Sequence, residues 1–284
     1  RLPPSRELAA ELGISRHTVT TVYGRLVAEG YLEGRAGGGT HVSFAAESER
    51  RRRRSAALRP LSVPADRSFT EPPPPDGADL RIGLPDPALF PLVDWRRCVV
   101  TALQVAPTRG VPPAGVPELR RTLARWIARS RGVEADPANV VVTASAQQAV
   151  GLVARVLVRP GDRVVMEDPG YAPVRWSLES LGIEVVPVPV DAEGIVVDAI
   201  PPGVRLVYVT PSHQSPTGAT MSLPRRRALL DLAARRDVAV VEDDYDSEFR
   251  HTDRPLEPLF RLDRSGRVVY VGTFSKTLSP SVRL

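Results

Sequence analysis

The chain has 284 residues, a formal net charge of +5 and a single cysteine, Cys98. That length suits one small and one large domain, and the lone thiol excludes an intramolecular disulfide framework and fits a reducing cytoplasm. No apolar run of membrane-spanning length and no signal-peptide pattern occurs, so no membrane partner is expected.

Residues 1–44 read as one unit. Ser5 is expected to cap a short helix, Arg6 to Leu12, which Gly13 closes. Ser15 then caps a second helix, Arg16 to Glu29, whose Val19, Val22, Tyr23, Leu26 and Val27 keep helical spacing. Two short strands, 31–33 and 40–42, flank a glycine-rich turn. Helix, turn, helix and hairpin together make a winged helix-turn-helix. Residues 45–77 carry no apolar period; they hold the run Arg50 to Arg54 and the stretch Pro72 to Pro75, so they read as a basic, Pro-rich linker that adds nonspecific phosphate affinity at most.

From 78 to 284 helical and strand patterns alternate. Helices are expected at 92–106, 116–131, 146–158 and 224–236. Strands are expected at 140–143, 163–167, 184–188, 204–210, 238–242 and 268–272. Runs such as Val238 to Val241 are apolar on both faces, as buried parallel strands require. The fold class is α/β, with a mostly parallel sheet. Of 38 lysines and arginines only Lys276 is a lysine, a skew that suggests a GC-rich genome. A primary amine that survives such a skew is expected where guanidinium fails, in condensing with a carbonyl or giving up a proton. The trio Glu242-Asp243-Asp244, taken by itself, also suits a hard cation.

The N-terminal unit resembles the GntR family of bacterial regulators, through P-S-R-E-L-A-x-x-L-G-I-S-R-x-T-V at Pro4–Val19, L-x-x-E-G-Y at Leu26–Tyr31 and R-x-G-x-G-T at Arg35–Thr40. On that resemblance Arg6, Ser15, Arg16, His17 and Thr18 sit at helix N-termini that face phosphates and base edges of a double-stranded operator. Arg35 belongs to a wing reaching the minor groove.

The large domain resembles fold-type I pyridoxal-phosphate enzymes, and among them the MocR-type subgroup of GntR regulators. The resemblance is carried by Gly83–Pro91, Glu167–Tyr171 (E-D-P-G-Y), Thr210–Gly218 (T-P-S-H-Q-S-P-T-G), Glu242–Phe249 and Gly272–Arg283. It implies pyridoxal 5′-phosphate as cofactor and Lys276 as the Schiff-base lysine. Asp243 would hold the pyridine nitrogen protonated. Tyr245, with His213 or Gln214, would reach the phenolic oxygen, and Tyr171 would stack on the ring. Ser145, Ala146 and Gln147 would take the phosphate on backbone N–H groups at a helix start, completed by Thr273, Ser275 and Arg283. The resemblance further implies a head-to-tail homodimer in the cytoplasm that senses an amine, an amino acid or the cofactor itself. The alternative is an aminotransferase with an accessory DNA-binding module. Three departures from the family pattern stand out: Arg109 where an aromatic is expected, Thr143-Ala144-Ser145-Ala146 without the usual glycine, and Ser215 in place of a bulky aromatic. Members of that family begin with a further helix and continue past the position of Leu284 through another strand and a small domain carrying a carboxylate-clamping arginine. The chain is therefore expected to be truncated at both ends.

Overall fold

The computed structural model describes residues 1–35, 37–43, 83, 85–104, 110–249 and 257–284. The linker expected at 45–77, its Arg50–Arg54 run and Arg109 lie outside the described residues. Two compact units divide the chain, 1–70 and 71–284.

In the first unit α1 (Ser5–Leu12) and α2 (Arg16–Ala28) precede a hairpin of β1 (Leu32–Arg35) and β2 (Gly39–Val42). Gly13 turns the chain between the helices in the left-handed region, at φ 65°, where glycine carries no Cβ penalty. The Ser15 hydroxyl accepts from the Thr18 N–H at 3.1 Å, the N-cap expected for α2. Ser5 differs from expectation. It is already helical, Pro4 occupies the cap position, and no side chain caps α1; the fixed φ of proline lets the helix begin one residue earlier. Ala9, Val19 and Leu32 are the buried apolar residues among those described in this small unit.

The second unit carries α3 (Leu92–Leu103), α4 (Pro117–Arg131), α5 (Ala146–Leu157), β3 (Arg163–Asp168), α6 (Ala172–Ser180), β4 (Glu184–Asp191), β5 (Gly194–Ile195), β6 (Val204–Val209), α7 (Leu223–Arg236), β7 (Ala239–Asp244), α8 (Leu259–Leu262) and β8 (Val268–Gly272). The sheet order is β5-β4-β3-β6-β7-β8, parallel throughout except for the two-residue β5. Alternation splits the strand side chains between two buried layers. Val165, Val207, Val209 and Val240 pack with Leu229, Leu232 and Ala233 of α7 on one face. Val164, Met166, Leu206, Tyr208 and Val241 pack with Val150 and Ala154 of α5 and Val174 and Leu178 of α6 on the other. Each fully buried Val or Leu contributes about 1.5–3 kcal/mol, so these two layers hold the strand ends in place.

Residues 140–143 do not form the expected strand. Val140 is extended and the Val142 N–H bonds the Ala114 carbonyl. An extended segment becomes a strand only by pairing with a ladder, however, and the described sheet ends at β8. The strand expected at 238–242 runs instead from Ala239 to Asp244, which brings Asp243 into the sheet.

Candidate functional site

The carboxyl ends of the parallel strands deliver the polar groups. On β7, Tyr208 of the adjacent strand lies opposite Val241; Asp243, two residues further, therefore projects to the same face as Tyr208. The Tyr208 hydroxyl donates to Asp243 Oδ2 at 2.5 Å, while Asp243 Oδ1 is buried without a partner. Burial pushes the Asp243 carboxyl up to about 6, against the Tyr208 hydrogen bond and the Lys276 charge, which pull it down.

Glu242 and Asp244 face elsewhere. Glu242 accepts the Leu259 and Phe260 N–H groups at 2.9 Å each. Asp244 Oδ2 accepts from Arg131 Nε at 2.7 Å, Ser247 Oγ at 2.8 Å and Tyr270 Oη at 2.5 Å. Arg131 and Asp244 form a buried ion pair, and the guanidinium also donates to Ser212. The three carboxylates thus spread over separate partners, and among the described residues no cluster of His, Cys, Asp or Glu converges as a metal site.

Lys276 lies in the turn after β8, half-buried, and its Nζ donates to the Gly83 carbonyl at 3.0 Å. Gly83 has φ +74°, and a Cβ built there would meet Lys276 Nζ. Tyr171 opens α6. Burial raises its phenol, the Gln147 side-chain hydrogen bond opposes this, and the Asp243 charge adds to it. Tyr245 is raised by burial and by the charges of Asp246, Asp243 and Glu167. His213 Nδ1 and Asp246 Oδ1 are 2.8 Å apart. Asp243 is thus the common neighbour: the Lys276 charge acts on it, and its own charge acts on Tyr171 and Tyr245.

Several predicted groups are already engaged. Ser145 caps α5 by accepting the Gln148 N–H at 3.1 Å. One lone pair of its hydroxyl is used there and the O–H can still donate, while the first-turn N–H groups of α5 have no carbonyl within the helix to meet. Gln214, 1 % exposed, donates to the Pro169 and Ser215 carbonyls at 2.8 Å and accepts from Thr217, so its amide braces the loop. Thr273 Oγ1 lies 2.9 Å from Ser275 Oγ. Arg283 is exposed in a left-handed conformation after the turn at Pro280–Val282. In the N-terminal unit Thr18 Oγ1 lies 2.8 Å from Ser15 Oγ, Arg16 Nε reaches Ser5 Oγ at 3.4 Å, and Arg35 pairs with Glu33 at 2.6 Å. Arg6 and His17 are exposed.

Sequence reasoning missed Tyr208, Glu167, Arg131 and the role of Gly83. Glu167 is buried, accepts from the Thr210 N–H and hydroxyl, and is pushed by burial to about 7. For Tyr208 the signal existed: strand alternation places it on the inner face beside an aspartate. For Arg131 none did, because its partner lies 113 residues away.

The site's chemistry fits a phosphorylated pyridine aldehyde: a lone amine, a buried carboxylate oxygen lacking a donor, and a helix start able to bind an anion. Comparison with known proteins points the same way. The model "Aminotransferase class I and II" matches residues 94–281 and the model "Bacterial regulatory proteins, gntR family" matches residues 1–42. The chain is similar to the probable rhizopine catabolism regulatory protein MocR of Rhizobium meliloti, 40 % identical over all of this chain and 60 % of that protein. It is also similar to the HTH-type transcriptional regulator TauR of Rhodobacter capsulatus, 39 % identical over all of this chain and 62 % of that one. Among solved structures it resembles a kynurenine aminotransferase of Pyrococcus horikoshii in complex with PMP, with TM-score 0.66, 35 % identity, and coverage of 71 % of this chain and 53 % of that one. The α-aminoadipate aminotransferase LysN of Thermus thermophilus, complexed with N-(5′-phosphopyridoxyl)-L-leucine, gives TM-score 0.64 and 34 % identity, with the same coverage. The chain spans about three fifths of the length of the two regulators.

Proposed function

Because the chain belongs to the class I and II aminotransferase family and carries a gntR-family module ahead of that region, we propose that it works as a transcription regulator whose aminotransferase-like half senses a small amine, an amino acid or the cofactor itself. The cofactor is pyridoxal phosphate, which supplies a carbonyl that amines exchange on and an electron sink conjugated to it. Lys276 would attach it, and Asp243 Oδ1 would accept the proton of the ring nitrogen. Tyr171 would cover the ring face, and Tyr245 and His213 would hold the phenolic oxygen. The N–H groups of Ser145, Ala146 and Gln147, with Thr273, Ser275 and Arg283, would hold the phosphate. Residues 1–44 would read double-stranded DNA through Arg6, Ser15, Arg16, His17, Thr18 and Arg35, residues 45–77 would tether that reader, and residues 78–284 would carry the effector site in a cytoplasmic homodimer.

The observation that carries this reading is the union in one chain of a helix-turn-helix module with a site whose amine and buried, donor-poor carboxylate suit an amine-exchanging carbonyl. An effector amine that took the place of Lys276 would release this side chain as a tether and so give the domain two states with different contacts, as a switch requires. The test follows operator binding and the visible spectrum while amino acids and 2-oxo acids are added to the cofactor-loaded chain. Expected is a spectral change coupled to a change in DNA affinity, with negligible multiple turnover. Sustained transamination at roughly 1 per second or more, with DNA affinity unmoved, would overturn it.

A further inference from the structure

Tyr208 is 1 % exposed and stands on the apolar face of β6 among Leu206, Val241, Val174 and Leu178. A phenylalanine would fill the same space. The hydroxyl nevertheless donates to Asp243 Oδ2 at 2.5 Å, a short O–H···O⁻ contact of the charge-assisted kind. Burial, with the Asp243 charge second, raises the Tyr208 phenol well above its ordinary value, so it keeps its proton and remains the donor. Oδ2 is thereby engaged. Any proton arriving at Asp243 is left to Oδ1, the oxygen that is buried without a partner.

We propose that Tyr208 is a positioning residue that reserves Asp243 Oδ1 for a protonated aromatic ring nitrogen, fixing the carboxylate plane and holding it ionised. This rests on the cofactor reading above and deepens it. The register supports it: Tyr208 pairs with Val241 across β6 and β7, and Asp243 is the next same-face residue, so the phenol reaches the carboxylate from inside the sheet. The surroundings oppose ionisation. Asp244 and Asp246 on the same segment add negative charge, and Glu167 of β3, Tyr171 of α6 and Tyr245 also couple to Asp243. Against these stand the Tyr208 hydrogen bond and the Lys276 charge. Without the phenol both carboxylate oxygens would lack a donor, and the carboxyl would favour its neutral form. A neutral carboxyl can donate to a ring nitrogen but no longer draws a pyridinium.

The test uses pyridoxamine 5′-phosphate and its analogue with C–H in place of the ring nitrogen, neither of which can condense with Lys276. The readout is therefore equilibrium affinity, measured by calorimetry from pH 5 to 9. The wild-type chain is expected to prefer the nitrogen compound. Tyr208→Phe is expected to shrink that preference about tenfold, the worth of one hydrogen bond to a charged group, and to move the acid limb of binding to higher pH. 3-Fluorotyrosine at 208 keeps the shape, donates more strongly and is expected to move the limb to lower pH; it decides the matter if the phenylalanine variant does not fold. An equal loss for both compounds in Tyr208→Phe, or an unmoved limb with fluorotyrosine, would overturn the proposal. Failure of pyridoxamine 5′-phosphate itself to bind the wild-type chain would overturn the cofactor reading and this assignment with it.

Discussion

A methyl group at residue 83 would strike the amine of Lys276 and would also force a non-glycine residue to φ +74°, a left-handed backbone costing roughly 1–2 kcal/mol. Gly83→Ala is therefore expected to lower the fraction of Lys276 fixed by borohydride in the presence of pyridoxal phosphate, read by mass spectrometry; unchanged incorporation would show the contact to be incidental. Arg131→Leu leaves Asp244 charged in the interior, where losing one partner of a buried pair costs about 3–5 kcal/mol. A urea midpoint close to that of wild type would contradict this. Glu167 has a pKa raised by burial to about 7 from 4.5. The native state thus binds the extra proton between those values, and stability falls as pH rises through that window. Glu167→Gln is expected to flatten this decline, measured as the unfolding free energy at pH 4.5 and 7.5. Lys276 could be singled out as the one lysine of the sequence, and Asp243 only through the motif that carries the family resemblance. Arg131 and Gln214 owe their roles to partners far along the chain or to loop folding, which no local pattern encodes.

Helices and strands were legible where a period of 3.6 or a doubly apolar run persisted. β8 matches its expected bounds, and α4, α5 and α7 match to within a residue at each end. α6 was missed because Pro173 and Trp176 sit in nine residues with a weak stripe; proline suits the first turn, and packing of Val174 and Leu178 against the sheet supplies the rest. Residues 140–143 failed as a strand for the converse reason: composition favours extension, but pairing decides. Caps behave likewise. Ser15→Ala removes the acceptor for the Thr18 N–H and is expected to cost about 1 kcal/mol in the N-terminal unit, seen as a lower thermal midpoint for its unfolding and weaker operator binding.

At the scale of the molecule, DNA reading and charge should separate. Arg16→Ala or Thr18→Ala is expected to weaken binding to a preferred operator by roughly 1–3 kcal/mol while leaving random DNA little changed. Neutralising Arg50 to Arg54 should reduce the salt slope for every sequence alike. Anisotropy titrations at several salt concentrations distinguish the two, and a sequence preference that follows the arginine run would refute the assignment of Arg16 and Thr18 at the start of α2 as base readers. The solitary lysine, resting on the Gly83 carbonyl, has a last consequence for peptide mapping. A protease that cuts after lysine or arginine and one that cuts only after arginine give maps of this chain that differ at a single bond, Lys276–Thr277, inside the fragment Val268–Arg283. Once borohydride has reduced the link between cofactor and amine, which otherwise hydrolyses as the chain unfolds for digestion, that bond resists both proteases and the maps coincide. Comparing two digests therefore counts the occupied molecules without a spectrum or a label.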